Sequence, residues 1–205
     1  MSTALKPDFS ELYRRLRSLP EWQRGEILAG ELVVSPRPVL AHATAGSRMN
    51  RELGTFDRPP GGRYPGGWHI LPEPELHLKT PDGQQHVLIP DIAGWRRERL
   101  PILPRKAWLD LCPDWICEVL SPSTARYDRQ LKARIYHQAG VDYRWLVDPE
   151  LQTVEAYQRA GDFWTLLDTW AEDPAARIPP FDAIELDMTQ WWEGMEPPPP
   201  QEEPR

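Results

Sequence analysis

The sequence predicts an α/β or α+β domain in which helices flank a mixed central β-sheet. Its 205 residues suit one domain of ordinary size. A helical segment opens the chain, strand-like segments dominate the centre, and a strand-helix-strand order follows, which is typical of a mixed sheet. Hydrophobic residues make up 40% of the chain and ten residues are tryptophans, which is enough for one modest core filled by large rings.

The first part of the chain predicts two helices with a hairpin between them. The first helix runs from Phe9 to Leu19, with leucines along one side, and Pro20 ends it. The segment from Gly25 to Val34 predicts two short strands around an Ala29-Gly30 turn. A second helix is predicted from Leu40 to Phe56.

The middle of the chain predicts three extended segments. Trp68 to Lys79 alternates polar and apolar residues in part, which is the period of a half-buried strand. The next strand, Val87 to Trp95, contains Pro90, which predicts an edge strand or a bulge because proline lacks a ladder N–H. Asp114 to Leu120 is largely apolar and predicts a central strand that Glu118 interrupts.

The last part of the chain predicts one helix and several strands. The segment Ser121-Pro122-Ser123-Thr124 ends the preceding strand and caps a helix from Ala125 to Ala139, which Gly140 ends. The strands that follow are predicted at Tyr143 to Val147, Val154 to Gln158, Phe163 to Asp168 and, as a last short strand, Phe181 to Leu186.

The chain divides into an N-terminal helical segment (1–24), a main domain (25–192) and a Pro- and Glu-rich tail (193–205) that is predicted to be disordered. The N-terminus lacks the apolar stretch of a secretory signal, and no window approaches the ~18 consecutive apolar residues of a membrane span. Cys112 and Cys117 form no CxxC pair, which disfavours a zinc site. These features predict a soluble, cytoplasmic protein with no membrane partner.

The net charge of -7 at first sight disfavours a nucleic-acid partner, but the charge is unevenly distributed. From Asp182 to Arg205 there are seven acidic residues and one basic residue. From Asp91 to Arg134 there are nine Lys or Arg residues against six Asp or Glu residues. This basic zone is compatible with phosphate binding, although a solvated face has the same composition.

Two carboxylates on separate predicted strands are candidates for catalysis. Asp91 follows Pro90, and Glu118 comes 27 residues later inside an apolar strand. A carboxylate buried in such a strand is costly unless it is paired, hydrogen-bonded or bound to a metal. Two of them on neighbouring strands suit magnesium or manganese, which polarises a phosphate and lowers the pKa of a bound water. The alternative is that Glu118 caps a loop or pairs with a nearby arginine, and the spacing alone does not decide.

Lys132 is a further candidate, in the segment DRQLKARIY. Asp128 and Lys132 are four residues apart in the predicted helix, so a surface ion pair accounts for both. The functional alternative uses the position of this helix directly after the Glu118 strand. From there the ammonium group would stabilise the charge that develops on a phosphate or an attacking water.

Five segments, taken together, resemble a known family in their order and spacing. They are GEILAGELVVSPRP, GGWHILPEPELHL, IPDIAGWRRERLP, PDWICEVLSPSTARYDRQLKARIYHQAGVDYRWLVDP and PFDAIELDM. They resemble the large bacterial Uma-type family of restriction endonucleases, a branch of the PD-(D/E)xK nuclease superfamily. The resemblance covers Gly25 to Met188, which is nearly the whole chain.

The resemblance implies a fold, an activity and a set of catalytic residues. The fold is a restriction-endonuclease-like core, often assembled as a homodimer. The activity is hydrolysis of phosphodiester bonds in DNA with Mg²⁺ or Mn²⁺, and the metal-binding acids map onto Asp91 and Glu118. The superfamily usually places its catalytic lysine two residues after the glutamate, where this chain has Leu120. The family instead places it in the next helix, at Lys132.

The resemblance also implies auxiliary polar positions. Glu75 is the favoured third acidic contributor and Glu31 a weaker one. Ser121 and Asp128 match the family pattern as well. His42 also matches, but a helix histidine with satisfied hydrogen bonds is the favoured explanation for it.

Two other functions stay open at this point. One is a DNA- or protein-binding module that keeps the nuclease fold without cutting, which the acidic balance and the missing on-strand lysine favour slightly. The other is a nuclease for RNA or single-stranded DNA. Trp95, Trp115 and Trp145 are expected in the core rather than stacked on bases. The arginines within 96–99 either contact phosphates or remain solvated, and neither alternative is favoured.

Overall fold

In residues 7–36, 39–171 and 173–196, which the computed structural model describes, the chain forms two β-sheets and the helices that pack against them. Residues 197–205 of the predicted tail lie outside the described residues. In chain order, the elements are α1 (Phe9–Arg17), β1 (Gln23–Leu28), β2 (Glu31–Pro36), α2 (Leu40–Leu53), β3 (Trp68–Pro72), β4 (Leu76–Lys79), β5 (Gln85–Leu88), β6 (Ile92–Arg96), β7 (Trp115–Val119), a π-helix (Tyr127–Lys132), α3 (Ala133–Ala139), β8 (Tyr143–Asp148), β9 (Thr153–Ala160), β10 (Phe163–Ala171) and α4 (Thr189–Trp192).

The larger sheet has six strands in the order β10-β9-β8-β7-β6-β3. β7 and β8 run parallel, whereas the other neighbouring strands of this sheet are antiparallel. A parallel pair needs a crossover connection, and the π-helix with α3 provides it. This mixed sheet with its flanking helices confirms the α+β class predicted from the sequence.

The smaller sheet is antiparallel, in the order β2-β1-β5-β4. Its β1–β2 hairpin turns at Ala29 and Gly30, as the sequence predicts. Both residues have positive φ. Helix α1 covers this sheet by packing Leu12 against Ile27 and Val87. The helix ends at Arg17, two residues before the predicted end.

Aromatic side chains fill the core on one face of the larger sheet. Trp115 and Trp145 meet edge to face with their ring centroids 5.0 Å apart. Phe181 packs against both rings, at 4.8 and 5.6 Å. Trp95 is fully buried in a second cluster, so the three strand tryptophans are core residues, as predicted.

The prediction of one continuous strand from Val87 to Trp95 is wrong. The segment forms β5 in the smaller sheet and β6 in the larger sheet, with a break around Pro90. Proline cannot donate to a ladder, and side chains satisfy the backbone of the preceding residue instead. Glu26 accepts a hydrogen bond from the Ile89 N–H at 2.8 Å, and the Arg24 guanidinium donates to the Ile89 carbonyl at 2.6 Å. The break leaves Asp91 at the junction of the two sheets.

The predicted strand from Phe181 to Leu186 is also wrong. Leu186 makes an isolated bridge to Ala176, and the segment otherwise consists of turns and bends. Phe181 and Leu186 are fully buried in the aromatic core, so their apolar side chains fill space rather than extend a sheet. Apolar content alone therefore does not separate a strand from a buried loop.

The helices lie where the sequence predicts them but differ in detail. Helix α2 ends at Leu53, before the predicted Phe56. The predicted helix from Ala125 to Ala139 contains the π-helix Tyr127–Lys132, whose wider turns the sequence pattern does not reveal. Within the described residues, no helix is long and apolar enough to cross a membrane.

Candidate active site

The junction of the two sheets opens into a cavity of about 280 Å³. The structure brings six residues that were singled out from the sequence to its walls: Asp91, Glu118, Lys132, His42, Ser121 and Asp128. They come from four places in the fold, namely the start of β6, the middle of β7, the π-helix with the loop before it, and α2. The cavity is therefore the candidate active site.

Asp91 is held in place across the strand boundary. Its Oδ2 accepts a hydrogen bond from the Val119 N–H at 2.7 Å, and the His42 Nε2 lies 3.3 Å from the same oxygen. Its Oδ1 accepts from the Arg24 guanidinium at 3.2 Å. Burial by itself raises the pKa of Asp91, but His42, Arg24 and Lys132 outweigh it, so the pKa lies below its ordinary value. Asp91 is an ionised carboxylate in a fixed orientation.

Glu118 lies at the centre of β7 with 2% of its surface exposed. Its Oε1 lies 2.8 Å from the Lys132 Nζ and accepts a hydrogen bond from the Tyr136 hydroxyl at 2.7 Å. Burial raises the pKa of Glu118 to about 8 against the opposing effect of Lys132, and the carboxylates of Asp128 and Asp91 add to the rise. Bringing a divalent cation to this carboxylate favours its ionised form.

Lys132 is the centre of a buried charge cluster. Its Nζ lies 2.8 Å from Glu118, 3.1 Å from Asp128 and 3.2 Å from Glu26. Burial lowers the pKa of this lysine, but the three carboxylates outweigh burial and hold the pKa well above its ordinary value. The interpretation of Asp128 and Lys132 as a surface ion pair is wrong, because their side chains are only 3% and 5% exposed.

The π-helix that carries Lys132 is fixed to the larger sheet on its far side. The Arg144 guanidinium donates to the Asp128 carbonyl at 3.3 Å. Arg129 forms two hydrogen bonds with Glu155, at 2.8 and 2.9 Å. A π-helix is rare and frequently occurs at a functional site. Here it delivers both Asp128 and Lys132 to the cavity.

Three residues of the site were not singled out from the sequence: Arg24, Glu26 and Tyr136. Glu26 precedes two apolar residues inside a predicted strand, which is the same signal that identified Glu118. Tyr136 follows Lys132 by four residues, so it falls on the same side of the helix. Arg24 carries no signal of its own, because its role depends on the break between β5 and β6.

Glu31 and Glu75 lie outside the cavity. Glu31 is exposed at the start of β2. Glu75 accepts a hydrogen bond from the Tyr13 hydroxyl at 3.0 Å and lies 2.7 Å from the His77 Nε2. It lines a different cavity beside Trp108. The additional acidic side chain near Lys132 is Glu26, from the same hairpin as Glu31.

The arginines after β6 contact groups of the protein. Arg96 stacks over the Trp68 ring at 4.6 Å. Arg97 pairs with Asp57 at 3.4 Å, and Arg99 with Asp114 at 2.8 Å. These contacts hold each guanidinium near the protein surface.

The oxygen-rich wall of the cavity suits a hard divalent cation. Four carboxylates, from Glu26, Asp91, Glu118 and Asp128, share the cavity with the cations Arg24 and Lys132. When all are ionised, the acids are in excess, which favours a further cation. Across residues 7–36, 39–171 and 173–196, no group of three His, Cys, Asp or Glu side chains is arranged to hold a metal ion. Magnesium is commonly bound through one or two carboxylates with waters completing its shell, so two acids fit this ion.

Comparison with known proteins agrees with the architecture. The structure is similar to the crystal structure of "a putative nuclease belonging to DUF820" from Anabaena variabilis ATCC 29413, with a TM-score of 0.68 and 20% sequence identity. The similarity covers 88% of this chain and 96% of that chain. No curated protein matches the chain.

The mixed sheet and the similarity to that structure define the class of this domain, a restriction-endonuclease-like α+β fold. Residues 9–189 match the Uma2 family, which is described as "Putative restriction endonuclease". The chain belongs to this family, and the resemblance found in its sequence is confirmed.

Proposed function

We propose that this chain is an endonuclease that hydrolyses phosphodiester bonds in DNA with Mg²⁺ or Mn²⁺. The observation that carries the proposal is the buried ammonium group of Lys132 among three carboxylates, beside the oriented carboxylate of Asp91. Membership of a family described as restriction endonucleases and the nuclease named in the Anabaena structure support the same activity.

In this proposal, Asp91 and Glu118 hold the metal ion, which when bound polarises the phosphate and lowers the pKa of a water. The Val119 N–H and Arg24 keep the Asp91 oxygens in a fixed direction. Lys132 supplies a positive charge that needs no reorganisation when charge develops on the phosphate oxygens. Its high pKa keeps it protonated throughout the neutral range.

The loop before the π-helix is suited to hold the substrate phosphate. The Ser121 hydroxyl lies 3.1 Å from the Ser123 hydroxyl and 3.0 Å from that of Thr124, and all three residues line the cavity. Hydroxyl groups supply neutral donors for phosphate oxygens. In the proposed function they orient the phosphate, while Lys132 supplies charge.

The proposal also includes the oligomeric state of the protein and the cellular compartment in which it works. A cut through both strands of a duplex requires two active sites, which a homodimer provides. The strand β10 lies at the edge of the larger sheet with Phe163 and Leu166 exposed, a surface that suits association. Cys112 and Cys117 are both free, which suits the reducing cytoplasm. Light scattering on the purified protein measures the assembly directly.

The first test is cleavage of supercoiled plasmid in Mg²⁺, in Mn²⁺ and in EDTA by the wild type, Glu118→Gln and Glu31→Gln. We expect nicking or linearisation by the wild type that EDTA abolishes. Glu118→Gln removes a proposed metal ligand and should lose activity by at least about a hundredfold. Glu31→Gln changes the exposed glutamate of the hairpin and should retain activity.

Calorimetry with Mn²⁺ separates an inactive enzyme from an unsuitable substrate. If the wild type binds Mn²⁺ through Glu118 but leaves plasmid intact, the proposed metal site is supported. The substrates to test next are then RNA and single-stranded DNA. Protein that neither binds Mn²⁺ nor cuts any of these substrates would contradict the proposed function and favour a binding module on the same fold.

A further inference from the structure

A second cavity, of about 340 Å³, lies beside the active-site cavity. The two cavities share two wall residues, His42 and Asp91. The remaining walls of the second cavity come from one face of α2 and from the turn between β3 and β4. These residues are Ala43, Gly46, Ser47, Asn50, Pro72 and Glu73.

We propose that this second cavity binds the base and sugar of an unpaired nucleotide next to the phosphate that is cut. The inference rests on the proposed function, since it extends the same site along the substrate strand. A phosphodiester bond joins two nucleotides, so a strand that places its phosphate against Asp91 must continue on both sides of that residue. The second cavity provides room on one of those sides.

The charge of the walls identifies which part of a nucleotide this cavity accepts. Its lining includes the carboxylates of Asp91 and Glu73, and none of the described lining residues is a lysine or an arginine. Glu73 is 62% exposed at the rim and pairs with Arg24 at 3.2 Å. Away from the metal ion proposed at Asp91, a phosphate would be repelled by the carboxylate of Glu73, whereas a neutral base with N–H groups at its edge would not.

Asn50 supplies an acceptor that the protein itself leaves unused. Its Oδ1 is buried and has no hydrogen-bond partner within the protein. A buried acceptor without a partner costs free energy. Asn50 lines the cavity, so a rotation of its side chain that brings the Oδ1 to an N–H group of a ligand would remove this cost. Asparagine side chains commonly recognise the donor and acceptor edges of bases. The adjacent Ser47 hydroxyl offers a second polar contact at the same wall.

Gly46 keeps the cavity open. A Cβ atom at this position would meet only the Val119 Cγ2, at 3.9 Å, so the backbone does not require glycine there. Glycine inside a helix is less stable than alanine. Alanine would fit at this position, whereas a larger side chain would take up space at the wall of the cavity.

The cavity favours an unpaired base, because the base and sugar of one nucleotide must enter it and a base that is stacked and paired within a duplex cannot. The nucleotide can come from a single strand or from a duplex with one base turned out of the stack. Both sources present the same chemistry to Asn50. Oligonucleotides that are single-stranded, fully paired, or paired with one mismatch distinguish them.

The test fills the cavity with Gly46→Leu. The control, Ala41→Leu, introduces the same side chain at an exposed position of α2 that lines neither cavity. Binding of fluorescent oligonucleotides is measured by anisotropy in Ca²⁺, and Mn²⁺ binding by calorimetry. We expect Gly46→Leu to weaken binding of single-stranded DNA by about tenfold or more with unchanged Mn²⁺ affinity. Ala41→Leu should bind DNA within about twofold of the wild type.

A second variant removes the unused acceptor. Asn50→Leu should weaken binding of single-stranded DNA by about fivefold without lowering the melting temperature, because the buried Oδ1 makes no bond in the protein. A lower melting temperature with unchanged affinity would mean that Asn50 is structural and would overturn the inference. Equal affinity of Gly46→Leu and the wild type, or no binding of any oligonucleotide by the wild type, would overturn it as well. If both variants weaken oligonucleotide binding as expected but the wild type does not cleave plasmid, the proposed activity is contradicted and the base site is not.

Discussion

Lys132 supplies the positive charge that compensates the buried acidic side chains of the cavity. Its ammonium group contacts Glu26, Glu118 and Asp128 within 3.2 Å. Removing one partner from a buried ion pair leaves charge without compensation, which costs more than the pair contributes when it is intact. A bound metal ion would supply the missing positive charge. Stability and metal binding are therefore coupled through this one side chain.

This coupling predicts the behaviour of Lys132→Met. In EDTA at neutral pH, its free energy of unfolding should fall by about 3–5 kcal/mol, because three carboxylates lose their shared cation. Addition of Mn²⁺ should restore part of the loss, while cleavage stays at least about a hundredfold below that of the wild type. Urea denaturation with and without Mn²⁺ measures both effects.

Lys106→Met is the matched control. Lys106 pairs with Asp110 four residues away, and the lysine side chain is 49% exposed. An exposed pair of this kind contributes at most about 1 kcal/mol, so Lys106→Met should change stability little and should not respond to Mn²⁺. Equal destabilisation of the two variants would mean that burial around Lys132 is not the source of the effect.

The sequence predicted the site at the residues whose signal is local. Asp91 follows a proline, and Glu118 interrupts an apolar strand, so both stand out without knowledge of the fold. Glu26 carries the same kind of local signal, because it precedes two apolar residues in a predicted strand. Arg24 carries none, because it enters the site only through contacts with Asp91 and with Ile89 at the break between β5 and β6. Such contacts depend on which strands pair, and a single sequence does not contain that information in a local pattern.

The π-helix is the element that sets the geometry of the cavity. Arg144 lies beneath it with 4% of its surface exposed, and its guanidinium stacks over the Tyr157 ring at 4.5 Å and the Trp164 ring at 5.3 Å. The Trp164 indole N–H donates to the Ala133 carbonyl at 2.8 Å, directly after the π-helix. Strands β8 to β10 therefore fix the turn from which Lys132 reaches Glu118.

The variant Arg144→Met should show whether Arg144 positions Lys132 for catalysis or only stabilises the fold. The Arg144 Nε is buried without a partner, and burial lowers the pKa of this arginine, so an apolar side chain of similar length costs the fold little. The π-helix loses the hydrogen bond to the Asp128 carbonyl, and a small displacement of Lys132 should lower kcat by about ten- to a hundredfold with KM unchanged. Steady-state kinetics and thermal denaturation, compared with exposed Arg134→Met, measure the two effects. A large loss of stability with normal kcat in the folded fraction would show that Arg144 is only structural.

Elements with a strong period were predictable, and their connections were not. The alternation from Glu75 to Leu78 and the apolar run around Glu118 correspond to strands β4 and β7. The extended segment predicted from Trp68 to Lys79 as a whole divides into β3 and β4, which lie in different sheets. The change of sheet near Pro90 was missed, because proline signals an irregularity without specifying where the chain goes next. The π-helix was missed for a related reason, since one additional residue in a turn leaves the helical pattern of Leu131 and Ile135 intact.

At the scale of the whole molecule, the charge distribution limits how the protein attracts nucleic acid. The net charge is -7, so the chain as a whole repels a polyanion. Much of the basic zone predicted between Asp91 and Arg134 is neutralised within the protein. The pairs are Arg97 with Asp57, Arg99 with Asp114, Lys106 with Asp110, Arg129 with Glu155, and Lys132 with its three acids. Within the part of the chain that the structure describes, Arg105, Arg126 and Arg134 of this zone are exposed and form no ion pair, so only part of the zone is available for phosphates.

Binding of DNA should therefore depend only weakly on salt. With about two phosphate contacts, the affinity for a single strand should fall by roughly sevenfold between 50 and 200 mM salt, because each contact releases less than one counterion. Anisotropy titrations over this range measure the slope, and an oligonucleotide with an uncharged methylphosphonate backbone serves as the control without salt dependence. A fall of about a thousandfold would require about seven phosphate contacts. That result would mean that arginines now paired with acids exchange those partners for phosphates, and that the substrate extends well beyond the two cavities beside Asp91.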